Sequence, residues 1–206
     1  ATAVACARAG MDVLLHGRDR ERLEAVAGRV RDAGRRAQVV AGDVTTPGLS
    51  AHLLDVADET LDRCDAVFAN AGYGYKKPAH ELGLDELRRM FEVNFFAAYE
   101  LVTEAARRLI ARAEPGHLLM CSSAVAKFTF INFSAYSATK AAQNHVCRAM
   151  RLELKPHRIH VSSVHPITTR TNFVLREAER AGRVPDDPER LYRSEERRVG
   201  KGGRSG

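Results

Sequence analysis

The stretch His117–Ala142, "HLLMCSSAVAKFTFINFSAYSATKAA", carries an apolar run that ends in two serines, a short connection, and then a helix start rich in small residues. An apolar run closing on a hydroxyl and followed by a helix is the repeating unit of a parallel sheet covered by helices. Within the helix, Tyr136 and Lys140 stand at i and i+4, so the phenol and the ammonium share one face. A nearby cation favours the ionised phenol, and the pair is expected to act as a tuned proton donor. Ser123 lies thirteen residues before Tyr136, at the carboxyl end of the predicted strand. Ligands of doubly wound sheets sit beyond such ends, so Ser123 is placed to hold a substrate oxygen while Tyr136 supplies the proton.

The same alternation runs through the rest of the chain. "MDVLLHG" (Met11–Gly17), "AQVVAGD", "DAVFANAG" and "IHVSSVHP" read as further strands. Amphipathic helices are expected between them: "DRERLEAVAGRVRDAG", closed by Gly34; about Thr46 to Arg63; and a long one in "GLDELRRMFEVNFFAAYELVTEAARRLIARAE". Asn94 falls inside the last of these, where an asparagine is intrinsically unfavourable unless it faces solvent or its amide has a role to fill. The expected fold is α/β, a doubly wound parallel sheet of Rossmann-like type.

Composition narrows the function. The chain has 206 residues, 45% hydrophobic and 28% charged, which suits one globular domain. No apolar run approaches the roughly 20 residues of a membrane span. The four cysteines are scattered without metal-ligand spacing, which predicts reduced thiols, no metal site and a cytoplasmic protein. Half of the net charge of +6 sits in residues 193–206, with five basic residues against two acids. Elsewhere arginines alternate with acids, as on solvated helix faces, which argues against nucleic acid as a partner.

Six short motifs occur in order: Asp43-Val44 after a glycine, "NAG" at 70–72, "VN" at 93–94, Ser123, "YSATK" at 136–140 and "HP" at 165–166 followed by Thr171. With these the chain resembles the short-chain dehydrogenase/reductase family, in its compact single-domain branch, from Ala1 to about Val174. The resemblance implies an enzyme, an NAD(P)-dependent oxidoreductase acting on a small carbonyl or alcohol. Its catalytic set would be Asn94, Ser123, Tyr136 and Lys140. Asn94 would hold a water in a proton relay reaching Lys140. Tyr136 and Lys140 would also meet the cofactor. Asp43 and Val44 would border the adenine, Asn70, Ala71 and Gly72 would line the cleft, and Pro166 through Thr169 and Thr171 would pass over the nicotinamide.

The strand "MDVLLHG" ends in Gly17-Arg18, with glycine where an NAD reader places an acid. Arg18 has the planar fork that grips a phosphate, which favours NADP over NAD.

Several features depart from the family pattern. The first strand and its T-G-x-x-x-G-x-G turn are missing from the sequence, so an N-terminally incomplete domain over 1–192 is expected, one that binds NADP poorly by itself. Ile167 stands where the family has glycine. The segment Thr171–Tyr192 reads as a lid with an apolar edge. Residues 193–206 drop the apolar pattern and read as a flexible or artefactual tail. The resemblance allows a homo-oligomeric parent, although the family's last strand and part of its oligomer interface have no counterpart after about Tyr192. The alternative to an enzyme is a non-catalytic dinucleotide-binding or scaffold protein of the same fold.

Overall fold

The computed structural model describes residues 1–167. Thr169, Thr171, the expected lid and residues 193–206 lie outside the described residues. The chain runs α1 (Thr2–Arg8), β1 (Val13–Gly17), α2 (Arg20–Arg31), β2 (Ala37–Ala41), α3 (Leu49–Leu61), β3 (Ala66–Ala69) and α4 (Leu84–Phe91). A π-helical turn (Glu92–Phe96) then leads into α5 (Ala97–Ala111), followed by β4 (Gly116–Cys121), α6 (Ser134–Glu153) and β5 (Ile159–Val164). Local chemistry explains several of these boundaries. Asp19 caps α2 by accepting the Arg22 N–H at 3.1 Å. After α2 the chain turns at Gly34 with φ of +75°, a conformation that costs glycine little.

All strand pairs are parallel, and each needs a helical crossover. In one part of the sheet β1 lies beside β2, with Val13 opposite Ala37. In the other the order is β3-β4-β5, with Ala66 opposite His117 and Gly116 opposite Ile159. No strand among the described residues hydrogen-bonds β1 to β3. A helix precedes the first strand, as expected where the family's first strand is missing from the sequence. The architecture is a Rossmann-like parallel sheet flanked by helices, interrupted between β1 and β3.

The β3-β4-β5 part carries the core. Leu118 (0% exposed) and Met120 of β4 pack with Val102 and Leu109 of α5, Cys147 of α6 and Val161 of β5. Gly116 begins β4 where a Cβ would collide with the Leu109 side chain and lie 3.1 Å from the Asp65 carbonyl. This packing holds the carboxyl ends of β3 and β4 against the start of α6. Replacing Leu118 by Ala is expected to destabilise the fold by about 2–5 kcal/mol. Urea denaturation measures this, and a loss below about 1 kcal/mol would mean that the site collapses around the smaller side chain.

Candidate functional site

Three elements converge where β4 ends. Ser123 follows that strand in extended conformation, and its side chain accepts the Val125 N–H at 3.4 Å. Ser122 Oγ donates to the Lys140 carbonyl at 2.8 Å, pinning α6 to the strand. The His165 ring, just past β5, lies 3.1 Å from the Ser123 carbonyl through Nδ1 and 3.0 Å from Ser163 Oγ through Nε2. Because a carbonyl only accepts, Nδ1 donates in this arrangement. Pro166 closes the same corner by accepting the Ala124 N–H.

Tyr136 and Lys140 point into one space, and both are buried. Burial pushes the Tyr136 phenol up to about 12, opposed by its hydrogen bond with Ser123. Burial also pulls Lys140 down to about 8. The net shift of the phenol is therefore opposite in direction to the one that a neighbouring ammonium alone would give. Lys140 Nζ stands over the ring, 5.8 Å from its centroid, so the attraction is that of a cation for a π face. The ammonium spends its hydrogen bonds on the Cys121 carbonyl at 2.7 Å and Gln143 Oε1 at 3.1 Å. At neutral pH the phenol is therefore protonated, the form a proton donor needs.

Asn94 lies in the π turn and is 0% exposed. There Ala97 N–H reaches back five residues to the Glu92 carbonyl. The Asn94 side chain grips the Tyr73 backbone from both sides: Oδ1 accepts the N–H at 2.9 Å, and Nδ2 donates to the carbonyl at 2.8 Å. Nδ2 also reaches Thr139 Oγ1 at 3.1 Å. The helix-interior asparagine thus ties the loop after β3 to α6.

Two glycines in that loop fit the cluster. At Gly72 a Cβ would lie 3.1 Å from Asn94 Oδ1 and 3.2 Å from Lys140 Nζ. At Gly74 it would lie 2.6 Å from the Tyr136 ring. Asn70, Ala71 and Gly72 are themselves placed at the carboxyl end of β3, and all three are exposed.

A second group lies at the ends of β1 and β2. Asp43 accepts from Thr45 N and Oγ1 at 3.0 and 2.8 Å, and pairs with Arg89 of α4 at 2.9 Å. The Thr45 hydrogen bonds, with Arg89 and Arg18 adding attraction, hold its carboxyl below the usual range. Arg18 is exposed beside it, and Val44 follows half-buried. Ile167 is exposed and is not among the residues of positive φ, so the chain passes that point without glycine's conformation.

Among the described residues no three His, Cys, Asp or Glu side chains gather as a metal site, and no helix is long and apolar enough to cross a membrane. Gly74, His165, Arg89 and Gln143 join the site without a role that the sequence alone assigns. Gly74 and His165 carry a local signal, the first as a small residue two places after the "NAG" motif and the second as part of "HP".

The buried lysine has a thermodynamic signature. Above about pH 8 the folded chain has released a proton that an unfolded lysine keeps until about pH 10.4. The unfolded state binds more protons across that window, so this group makes stability rise with pH. Relative to Lys140→Met, the chain is expected to gain up to about 3 kcal/mol between pH 8 and 10.4. Urea midpoints of both proteins at about pH 7.5, 9 and 10 measure this gap; one that stays constant would place the ammonium in water.

The family model for short chain dehydrogenase matches residues 1–181. An uncharacterized oxidoreductase of Mycobacterium tuberculosis (strain CDC 1551 / Oshkosh) is 32% identical over 166 residues, covering 81% of this chain and 63% of its own. Carbonyl reductase [NADPH] 2 of Sus scrofa is 31% identical over 160 residues, covering 73% of this chain and 62% of its own. The chain thus spans less than two thirds of the length of these relatives. The crystal structure of a short-chain type dehydrogenase/reductase from Mycobacterium marinum superposes with a TM-score of 0.76 at 30% identity, covering 80% of this chain and 67% of that one. With the family model matched over most of its length and the fold shared, this chain belongs to the short-chain dehydrogenase family.

Proposed function

We propose that this chain carries the catalytic core of an NADP-dependent oxidoreductase that interconverts a secondary alcohol and a ketone. The observation that carries the reading is the convergence of Ser123, Tyr136, Lys140 and Asn94 at the carboxyl end of β4, with the phenol buried and protonated.

The residues present suit a dinucleotide at both ends of the cleft. Small residues, Asn70 to Gly72, end β3 and leave room for a flat group. At the other end Gly17 closes β1 without a carboxylate that would repel a 2′-phosphate, and Arg18 stands next to it. Arg18 would hold the 2′-phosphate, Asp43 and Val44 would border the adenine, and Pro166, with Thr169 and Thr171 beyond the described residues, would cover the nicotinamide. When bound, the nicotinamide supplies the hydride.

The protein's own part is orientation and proton transfer. Ser123 Oγ donates a hydrogen bond to the carbonyl oxygen and favours the charge that builds there. Tyr136 Oη gives its proton to that oxygen as the alcohol forms, leaving a phenolate. Lys140 lies close enough to stabilise that anion, and this attraction is absent from the resting phenol. In the oxidising direction the same groups run in reverse.

In the full-length protein, Tyr136→Phe is expected to lower kcat by 10²–10⁴-fold while NADPH still binds, as read by its fluorescence. Retention of more than about a tenth of kcat would remove Tyr136 from the proton-donor role. For the cofactor, Arg18→Ala should raise the KM for NADPH by roughly tenfold or more and leave that for NADH near its original value. Equal changes for both cofactors would overturn the assignment of Arg18 to the 2′-phosphate.

A further inference from the structure

We propose that Gln143 is a positioning residue, locking Lys140 Nζ and the Asn94 carbonyl into one arrangement through the two ends of its side-chain amide. The functional meaning of this proposal rests on the hydride-transfer reading above; its geometry does not.

Gln143 lies on α6 three residues after Lys140 and is 0% exposed. A primary amide in such surroundings is costly unless both ends are bonded, and both are. Oε1 accepts from Lys140 Nζ at 3.1 Å, and Nε2 donates to the Asn94 carbonyl at 2.5 Å. The amide has only one workable orientation. An ammonium only donates and a carbonyl only accepts, so exchanging O and N would set donor against donor and acceptor against acceptor.

The contact spans 49 residues of sequence and joins α6 to the π turn. Gln143 therefore bonds the Asn94 carbonyl directly, at the residue to which the family resemblance gives a relay water. In this chain Lys140 is linked to Asn94 through a fixed side chain, and an amide of this kind orients its neighbours without passing a proton on. The titratable groups facing Nζ are Tyr136 from its own helix and Cys121 from β4. The π turn and the loop after β3 bring Asn94 and Gly72, neither of which titrates. Removing Gln143 would take away one of the two acceptors of the ammonium, which disfavours the charged lysine.

The test is a titration of Lys140 in the full chain, with isotopically labelled lysine and the resonance assigned through Lys140→Arg. Gln143→Leu is expected to lower the Lys140 midpoint by about one pH unit or more. Gln143→Glu keeps the shape and places a carboxylate beside Nζ, so it should raise the midpoint by at least about as much. If Gln143→Leu does not fold, the glutamate variant decides alone. Midpoints within about 0.3 of the parent, well below the shift that a lost or gained charge partner causes, in every variant that melts cooperatively would show that Gln143 only fills space. The measurement requires no cofactor. Absence of NADPH turnover in the full-length protein would therefore sink the hydride-transfer reading while leaving this proposal to the titration.

Discussion

An ammonium group inside a protein has to be given acceptors, and the site is built around that requirement at Lys140. The side chain is 3% exposed, so water cannot serve it. One acceptor is the Cys121 carbonyl at the end of β4, and the other is Gln143 on the same helix. The first fixes the distance between strand and helix, and the second leads to the π turn through the bond from Gln143 to the Asn94 carbonyl. Ser122 reinforces the first link by bonding the Lys140 carbonyl. A group brought in for its charge thereby sets the geometry of three elements, and Tyr136, one turn earlier, inherits its position from them.

The loop after β3 is the fourth wall. Its backbone is gripped at Tyr73 by Asn94, which holds the glycines on either side, Gly72 and Gly74, against Lys140 and the Tyr136 ring. A straight α-helix would leave an asparagine at this position to compete with its own backbone. The π turn widens the helix there, and it marks a place where regular hydrogen bonding has yielded to positioning. The small residues of the "NAG" region thus do more than admit a ligand: at Gly74 even a methyl group would push on the tyrosine ring.

Much of this is legible in sequence wherever period and local chemistry decide the outcome. Alternating apolar runs locate the described strands, Asp19 and Gly34 mark the ends of α2, and i, i+4 spacing puts Tyr136 and Lys140 on one face. What cannot be read depends on residues far apart in the chain. The Asn94–Thr139 and Gln143–Asn94 contacts span 45 and 49 residues, and nothing in either local stretch encodes a partner at that distance. The same holds for Arg89, which meets Asp43 only because α4 passes the end of β2. The net shift of the phenol departs from expectation for a different reason. Spacing shows which side chains share a face, but the penalty of burial depends on what closes over them.

At the far end of the cleft a carboxylate stands near Arg18, the arginine proposed to hold the 2′-phosphate. Asp43 would repel a 2′-phosphate if its charge were unopposed. Thr45 supplies two hydrogen bonds and Arg89 an ion pair, so the negative charge is neutralised locally by groups on its own turn and on α4. Asp43 and Arg89 side chains are 37% and 50% exposed, where such a pair alone contributes little to stability. Its significance lies in the potential that it leaves: with Asp43 offset by Arg89, that acid cancels less of the positive charge of Arg18 beside the end of β1. On the proposed NADP reading, a carboxylate opposed in this way would leave room for an anionic group that an uncompensated acid at the end of β1 would exclude.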